Sequence, residues 1–293
     1  MIAQNTRYGI VAGNGLLPLT LANRLSEQGN QPVIIGIEGE AGDALSAYNC
    51  TLLPLERIAY SLPHMKKSGV THVILAGGVR RRPQTLKLRV PMVIWRDLPA
   101  ALFALKRGDD GLLAAMVRMF ERHGLKVIGA HDILPDHVAP YGVVVGSSPM
   151  KSLKLTIQAG VNAATIIGAH DIGQAVVAMG CRVIAVEGLE GTDQMLARVA
   201  ALRKEGRIDA SAKPVLIKLA KPGQELRADM PVIGPATIEG CKAAGISLIC
   251  ISAGSTMIMD VGNTLSQATL AGIDIYGIDP NEWAQVSQGS QLL

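Results

Sequence analysis

Apolar runs and glycine turns alternate along the first part of the chain. The run Tyr8–Ala12 predicts a short buried strand, which ends in Gly13-Asn14-Gly15. Leu16–Gly29 carries apolar residues at helical spacing and predicts a helix, and Pro32–Ile37 predicts a second strand. A strand, a glycine turn, a helix and a strand form a βαβ unit, whose crossover is right-handed in nearly all proteins.

The same alternation continues to about residue 132. Together with the first βαβ unit, it predicts a Rossmann-like parallel sheet with flanking helices over residues 1–132. The further elements are helices over Leu55–Ser68, Pro99–Lys106 and Gly111–His123, and strands over Thr71–Ala76 and Leu125–Ile128.

Residues 133–150 break this alternation and predict a linker, with a hairpin strand at GVVVG as an alternative, because three prolines surround this short run at 142–146. Residues 151–293 then predict a second α/β domain, in which Gly180-Cys181 turns a hairpin. Its helices are predicted over Lys151–Ala169, Gln194–Glu205, Thr237–Ala244 and Gly262–Ala271, and its strands over Ala175–Met179, Arg182–Glu187, Pro214–Ala220, Ser247–Ile251 and Asp274–Ile278.

Composition narrows the class of protein. Apolar residues make up 48% of 293 residues, which is enough for a large core, and the net charge is only +4. Nucleic-acid binding is not indicated, because no Lys/Arg run is interleaved with aromatic residues. The N-terminus lacks a secretory apolar region, no apolar run reaches the ~18 residues of a membrane helix, and the four cysteines lack zinc or disulfide spacing. We expect a soluble cytoplasmic protein.

Glycine turns follow two predicted strands of the first domain. Gly13-Asn14-Gly15 would suit a phosphate near a helix N-terminus. However, Pro18 stands where a dinucleotide fingerprint has its third glycine, and no acidic residue except Glu38 directly ends the second strand, so a plain tight turn fits as well. Gly77-Gly78 precedes Arg80-Arg81-Arg82, which either grip phosphate or form a solvated basic turn.

The polar stretch Lys221–Gly234 (KPGQELRADMPVIG) separates two apolar runs. It holds Lys221, Glu225, Arg227 and Asp229 within nine residues. Loops on a rigid scaffold often carry function, whereas incidental ion pairs in a solvated connection are the alternative.

Acidic residues lie at the ends of several apolar runs in the second half of the chain. Several of them could converge on one edge and hold Mg²⁺ beside a substrate phosphate, although helix capping is the alternative for Asp193 and the same ambiguity applies to Asp171 and Glu187. His131 and His170 are further candidates, but a lone histidine is more often structural. The acids are Asp171, Glu187, Glu190, Asp193 and Asp229.

Taken together, these segments resemble the LpxI-type UDP-2,3-diacylglucosamine pyrophosphatases of Gram-negative lipid A biosynthesis. The motifs are short, but they occur in the family's order over nearly the whole chain. They are AGNG at 12–15 with Leu17-Pro18, AGGV at 76–79 with Arg82-Pro83, GDD at 108–110 with Leu112-Leu113, GAH at 129–131, DIGQ at 171–174, AVEGLEGTDQML at 185–196, KPGQ at 221–224 and RADMPVIG at 227–234.

The resemblance implies an N-terminal Rossmann-like domain and a distinct C-terminal α/β domain, with the lipid bound in the crevice between them. It also implies hydrolysis of UDP-2,3-diacylglucosamine to UMP and 2,3-diacylglucosamine 1-phosphate (lipid X), by attack on the phosphorus nearer the glucosamine. Dependence on Mg²⁺, a homodimer and a cytoplasmic protein at the surface of the inner membrane are implied as well.

The resemblance further implies that Asp229, in the motif RxDxPxxG, is needed for catalysis. Our hypothesis is that Asp229 and Asp193, with Asp171 or Glu187, hold Mg²⁺ or orient the water, and that Lys221 and Arg227 neutralise phosphate charge with Gln224 beside them. Family substrate contacts carry over to Gly15, Gly77, Gly78, Gln174 and Asp193, with a backbone contact near Val127. A family member has Asn at the position of Gly78, which lacks a side chain for such a contact, and the triple arginine is richer than expected.

Two other functional classes are consistent with parts of the pattern. An NAD(P)-dependent oxidoreductase would use the Rossmann-like domain, but the missing third glycine counts against it. A non-catalytic module that binds a nucleotide or an acidic lipid would bind UDP-sugars without releasing UMP.

Overall fold

The computed structural model describes residues 6–81, 83–84, 87–96, 109–209 and 211–284. Within these ranges the chain divides into two compact units. The first unit contains the residues up to Pro135 together with Glu225–Asp229, and the second contains Asp136–Gln224 and the residues from Met230 onward. The chain therefore leaves the second unit for five residues, which a single boundary near residues 133–150 does not anticipate. Arg82 and the predicted helix Pro99–Lys106 lie outside the described residues.

The described strands of the first unit form a parallel sheet in the order β3-β2-β1-β4-β5. The chain moves outward from β1 in one direction to β2 and β3, and then crosses to β4 and β5 on the other side of β1. This order confirms the predicted Rossmann-like sheet and places its switch point between β1 and β4, where open α/β sheets bind ligands at the carboxyl ends of the strands. The strands are β1 (Tyr8–Ala12), β2 (Val33–Ile37), β3 (Thr51–Leu53), β4 (His72–Ala76) and β5 (Lys126–Val127).

One predicted helix of the first unit is divided. The stretch Leu55–Tyr60 is a 3-10 helix, and the α-helix α2 (Ser61–Lys67) begins only after it. The cause is Pro63, which lacks an N–H and would clash with the carbonyl of residue 59 in a continuous α-helix, but is tolerated in the first turn of α2. The other described helices are α1 (Leu17–Glu27), α3 (Asp109–Arg122) and α4 (Ala130–Ile133), with 3-10 turns at Asp43–Tyr48 and Met92–Ile94.

The second unit is built on a mixed sheet in the order β6-β13-β11-β9-β7-β8. The inner strands β9, β11 and β13 are parallel, whereas β6, β7 and β8 run antiparallel to their neighbours. The run at 142–145, predicted to lie in a linker, is thus an edge strand of this sheet. The strands are β6 (Gly142–Val145), β7 (Ala175–Met179), β8 (Arg182–Val186), β9 (Val215–Lys218), β11 (Leu248–Ser252) and β13 (Asp274–Ile278), with a separate parallel pair, β10 (Val232–Ile233) and β12 (Met257–Ile258).

The helices of the second unit pack on this sheet. Helix α6 begins at Gly191 and not at the predicted Gln194, so Asp193 lies in its first turn and is not its N-cap. A carboxylate there still interacts favourably with the positive end of the helix dipole. The described helices are α5 (Lys154–Ala169), α6 (Gly191–Lys204), α7 (Pro235–Ala244), α8 (Val261–Ala271) and α9 (Pro280–Ala284). Within the described part of the chain, no helix has the length and apolar character needed to cross a bilayer.

Gly13 is a position of the first unit at which one added methyl group would meet the main chain. A Cβ atom there would lie 2.2 Å from the carbonyl oxygen of Gly78, so the main chain would have to move. We expect Gly13→Ala to lower the free energy of unfolding by about 2–3 kcal/mol, measured by urea denaturation. Gly42→Ala is the control, because Gly42 has a negative φ and open space around it. Equal stability of the two variants would contradict the clash.

Candidate functional site

Two loops at the carboxyl edge of the first sheet are joined main chain to main chain. The Gly13 N–H donates to the Ala76 carbonyl (2.8 Å), and Asn14 and Gly78 exchange N–H···O bonds of 2.8 and 3.2 Å. A Cβ on Gly77, whose φ is +86°, would lie 2.3 Å from the Asn14 carbonyl oxygen. Gly13 and Gly77 therefore permit the loops to meet. Gly15 and Gly78 are exposed, and nothing lies within 4 Å of a Cβ on Gly15, which leaves its main chain accessible to a ligand.

The carboxylate of Glu40 holds both loops. It accepts hydrogen bonds from the Asn14 side-chain amide (3.0 Å) and from the Arg80 backbone N–H (2.9 Å). The adjoining helix α1 has neither a side-chain cap nor an acidic residue in its first turn. Its unsatisfied N–H groups and its dipole favour an anion. This edge of the first unit therefore suits a phosphate group.

The three arginines after Gly77-Gly78 do not share one role. Arg81 forms a two-pronged ion pair with Glu56 (2.5 and 3.1 Å), and this hydrogen bonding lowers the pKa of Glu56 to about 2. The charge of Arg81 is thus matched within the protein. Arg80 is exposed, and its guanidinium forms no ion pair in the described residues. Arg80 is therefore better placed than Arg81 to attract an anion.

Val127 ends β5, and His131 lies on the short helix α4 that follows it. The Val127 side chain is buried, so a contact with a ligand can come only from its main chain. Its successor Ile128 donates its N–H to Val73 (3.0 Å), and Gly129 donates its N–H to the Asp132 carboxylate (2.9 Å). The His131 Nδ1 atom is buried without a hydrogen-bond partner in the described residues. Such an atom is costly, which keeps His131 a candidate for substrate contact.

The segment Glu225–Asp229 is anchored in the first unit by Arg227. The Arg227 guanidinium donates twice to Glu225 (2.8 and 2.7 Å) and once to Glu121 on α3 (2.6 Å). Hydrogen bonding to Arg227 lowers the pKa of Glu225, and the same bonding raises the pKa of Arg227. With two carboxylates bound, Arg227 positions the segment. Asp229, which is partly buried, donates its N–H to the Glu225 carbonyl (3.0 Å).

In the second unit, Lys221 is paired with Asp171 (Nζ to Oδ1, 2.5 Å). Asp171 has a φ of +52°, a left-handed conformation that is rare for residues other than glycine. Such strain often marks a functional position. The Lys221 N–H donates to the side-chain oxygen of Gln224 (2.9 Å), so these two predicted site residues form one turn after β9.

A chain of buried polar groups lies beside this turn. Lys218 donates from its Nζ to the Thr192 hydroxyl (2.9 Å), and that hydroxyl donates to Glu187 (2.7 Å). The other oxygen of Glu187 accepts the Gln174 N–H (3.0 Å). Lys218 and Glu187 are only 6% and 7% exposed. The chain thus fixes Gln174, whose side-chain oxygen Oε1 is buried without a partner in the described residues.

The remaining acids of the second unit differ in their surroundings. Glu190 pairs with Arg198 (2.6 Å), whereas Asp193 is exposed on the first turn of α6. Burial raises the pKa of the Cys241 thiol on α7. No three His, Cys, Asp or Glu side chains of the described residues are arranged to hold a metal ion by themselves.

Comparisons with known proteins support the whole-chain resemblance. A model described as the LpxI N-terminal domain matches residues 7–137, and one described as the LpxI C-terminal domain matches residues 140–276. The chain belongs to the LpxI family. A relative from Caulobacter vibrioides, named UDP-2,3-diacylglucosamine pyrophosphatase LpxI, is 32% identical over 277 residues, which cover 94% of this chain and 99% of that protein.

One solved structure aligns only weakly with this LpxI-family chain. A crystal structure from Burkholderia cenocepacia J2315, described as a proposed epimerase, aligns over 94% of this chain and 84% of its own. The identity is 14% and the TM-score is 0.25. At that score the likeness supports neither a fold nor a function.

The LpxI motifs coincide with the contacts described above. AGNG and AGGV form the two joined loops, and DIGQ carries the left-handed Asp171 and the constrained Gln174. The motif AVEGLEGTDQML contains Glu187, Thr192 and Asp193, and KPGQ forms the Lys221–Gln224 turn. RADMPVIG begins at the anchoring Arg227 and runs into β10.

Several residues that hold this geometry were not predicted from the sequence. Glu40, Glu56 and Glu121 lie 26, 25 and 106 residues from the partners Asn14, Arg81 and Arg227. No local pattern marks such pairs. Thr192 lies only five residues after Glu187, but this spacing does not predict the hydrogen bond between them. That hydrogen bond depends on how α6 packs.

Proposed function

We propose that this LpxI-family protein hydrolyses the pyrophosphate of UDP-2,3-diacylglucosamine to UMP and 2,3-diacylglucosamine 1-phosphate, in lipid A biosynthesis. The observation that carries the proposal is the 32% identity to a relative of that name over nearly the full length of both chains. The ordered motifs support it, because AGNG, AGGV, DIGQ, AVEGLEGTDQML, KPGQ and RADMPVIG form described contacts that position candidate site residues.

The reaction requires a water molecule to attack a phosphorus atom that is shielded by negative charge. In the proposed reaction the water oxygen bonds to the phosphorus nearer the glucosamine, the bond from that phosphorus to the bridging oxygen breaks, and UMP leaves with the bridging oxygen. Asp229 orients the water and accepts its proton, as a positioned carboxylate does in general base catalysis. The ion pair of Arg227 with Glu121 fixes the main chain two residues before Asp229.

Phosphate binding is assigned to groups that favour anions. We assign the main chain around Gly15, Gly77 and Gly78, together with the uncapped end of α1, to one phosphate. Lys221 and Gln224 contribute from their turn after β9, and Gln174 and Asp193 contact the substrate. Lys221 is held by Asp171, which directs its ammonium group.

We also propose dependence on Mg²⁺. A bound Mg²⁺ would neutralise charge on the phosphates. Asp229 and Asp193 would hold it, since Mg²⁺ is usually bound by one or two carboxylates together with water and substrate phosphates. The described residues contain no group of three protein ligands for a metal ion, so water and the substrate phosphates would supply the remaining ligands. A homodimer and peripheral association with the cytoplasmic face of the inner membrane are proposed from the family resemblance.

Incubation with detergent-dispersed UDP-2,3-diacylglucosamine tests the proposed reaction. We expect UMP with Mg²⁺ present, loss of UMP formation with excess chelator, and recovery when Mg²⁺ is restored. In ¹⁸O-labelled water the label should enter the lipid phosphate and not UMP. Turnover that is insensitive to chelator would exclude the Mg²⁺ dependence, and tight binding of the substrate without UMP under any divalent metal would indicate a binding module.

A further inference from the structure

A short segment of the first unit exposes apolar side chains that the proposed site does not use. In the 3-10 turn Met92–Ile94 and the residue after it, Met92 is 86% exposed, Val93 50% and Trp95 65%. Ile94, between them, is 3% exposed and packs in the core with Phe120. The turn is therefore fixed to the unit by one side chain, while three large apolar side chains face the solvent.

The segment before this turn is held to the body of the first unit by Glu56. The Arg89 N–H donates to the Glu56 backbone carbonyl (2.9 Å). The Glu56 carboxylate accepts from Arg81 and from the Gln84 N–H (3.3 Å). Lys87, Arg89 and Arg96 are all exposed. The apolar turn is thus presented between cations on an anchored loop.

The sequence around the turn is strongly one-sided in charge. From Arg57 to Arg96 there is no Asp or Glu, whereas the rest of the chain has 19 Lys and Arg against 24 Asp and Glu. The net positive charge of the protein therefore comes from this stretch, because the rest of the chain has more acidic than basic residues. Its nine cationic residues are Arg57, Lys66, Lys67, Arg80, Arg81, Arg82, Lys87, Arg89 and Arg96.

We propose that Met92, Val93 and Trp95, with Lys87, Arg89 and Arg96, form a surface that docks on an anionic lipid bilayer. Tryptophan favours the boundary between acyl chains and headgroups, and cations beside an inserted apolar group bind acidic lipid headgroups. This surface assigns residues to the proposed membrane association, and it rests on the proposed function only in that a diacyl substrate resides in a membrane.

A second copy of the chain is a less favourable occupant. In a twofold-symmetric contact the same patch faces itself, so Lys87, Arg89 and Arg96 would meet their own copies. Like charges brought together across a contact oppose association. An anionic bilayer, in contrast, supplies both the apolar phase and the opposite charge.

The indole fluorescence of Trp95 can be used to measure the proposed docking. The protein has two tryptophans, Trp95 and the partly buried Trp283, so Trp283→Phe leaves Trp95 as the one indole. With phosphatidylglycerol-containing vesicles we expect a blue shift of its emission and quenching by brominated acyl chains. Phosphatidylcholine vesicles should give neither. Unchanged Trp95 emission with the anionic vesicles would overturn the proposal.

Matched variants distinguish docking through this surface from nonspecific adsorption to vesicles. Arg89→Gln with Arg96→Gln should lower partitioning to anionic vesicles about thirtyfold, and Met92→Ser with Val93→Ser should abolish the quenching. Two control variants change the second unit. Lys204→Gln with Arg207→Gln removes exposed cations, and Leu270→Ser removes an exposed apolar side chain. Neither control should change the vesicle partitioning or the quenching. Equal losses in the control variants would overturn the proposal. So would a change from dimer to monomer in Met92→Ser/Val93→Ser, because it would make the surface a subunit contact.

The hydrolysis assay distinguishes failure of this surface from failure of the proposed reaction. With detergent-dispersed substrate, the Met92→Ser/Val93→Ser protein should release UMP at the wild-type rate, while its turnover of vesicle-embedded substrate falls. Vesicle binding by a wild-type protein that releases no UMP would refute the reaction and leave the docking surface standing. UMP release without vesicle binding would refute the surface alone.

Discussion

Asp229→Ala is expected to lower kcat for UMP release by about a thousandfold, the range seen when a positioned catalytic group is removed. The motif RADMPVIG assigns this aspartate the central chemical role in the proposed reaction. Its segment is held by other groups, namely the Arg227 ion pairs and Ala228 against the core, so the fold should survive. Circular dichroism and thermal unfolding should match the wild type, and substrate binding measured without turnover should stay within a few fold.

Two further variants make this result specific. Asp229→Asn keeps the shape but removes the charge and the basicity, so it should be almost as inactive as the alanine variant. Asp43→Ala removes an exposed aspartate of the same unit and should leave kcat unchanged. Hydrolysis at near-normal rate by Asp229→Ala with Mg²⁺ present would refute the catalytic assignment.

Glu187→Ala is expected to lower the free energy of unfolding by about 3 kcal/mol, since removing one member of a buried charged network leaves its partners unsatisfied. The Thr192 hydroxyl and the Gln174 N–H lose their acceptor, and buried Lys218 loses the negative charge to which Thr192 links it. Urea denaturation measures the change. Because Gln174 and the start of α6 are both held by Glu187, KM for the substrate should also rise.

Glu190→Ala provides the matched control from the same loop. Glu190 pairs with Arg198 near the surface, where such an ion pair contributes below about 1 kcal/mol. Glu187→Gln keeps one acceptor oxygen and should fall between the two alanine variants. If Glu187→Ala were no less stable than Glu190→Ala, the buried network would not be structural.

The sequence predicted the elements that depend on local pattern. Short apolar runs such as Tyr8–Ala12 became buried strands because a strand in a covered parallel sheet is apolar on both faces. Two predicted helices differ from the observed ones in their bounds. Pro63 divided the helix predicted over Leu55–Ser68, and α6 started three residues early, at Gly191. The run at 142–145 looked like part of a linker because its pairing partner, β13, lies some 130 residues further along the chain.

The site was predicted only as a set of residues, without their partners. The motifs named Gly77, Lys221, Arg227 and Asp229, but they did not show that two carboxylates bind Arg227 or that Asp171 holds Lys221. The structure also gave the glycines separate roles, with Gly13 and Gly77 at a main-chain contact and Gly15 open to solvent. Such distinctions depend on distances between segments that are far apart in the chain.

The α/β class, the Rossmann-like first sheet and the family follow from the amino-acid sequence, because apolar periodicity and ordered motifs are visible along the linear chain. That Glu225–Asp229 belongs with the first unit is visible only in the folded chain. The tertiary structure also decided that Glu187 and Lys218 share one buried hydrogen-bond chain, and that the cationic segment ends in exposed Met92, Val93 and Trp95. The physical reason is that burial and hydrogen bonding are set by which segments pack together, and a local pattern does not carry that information.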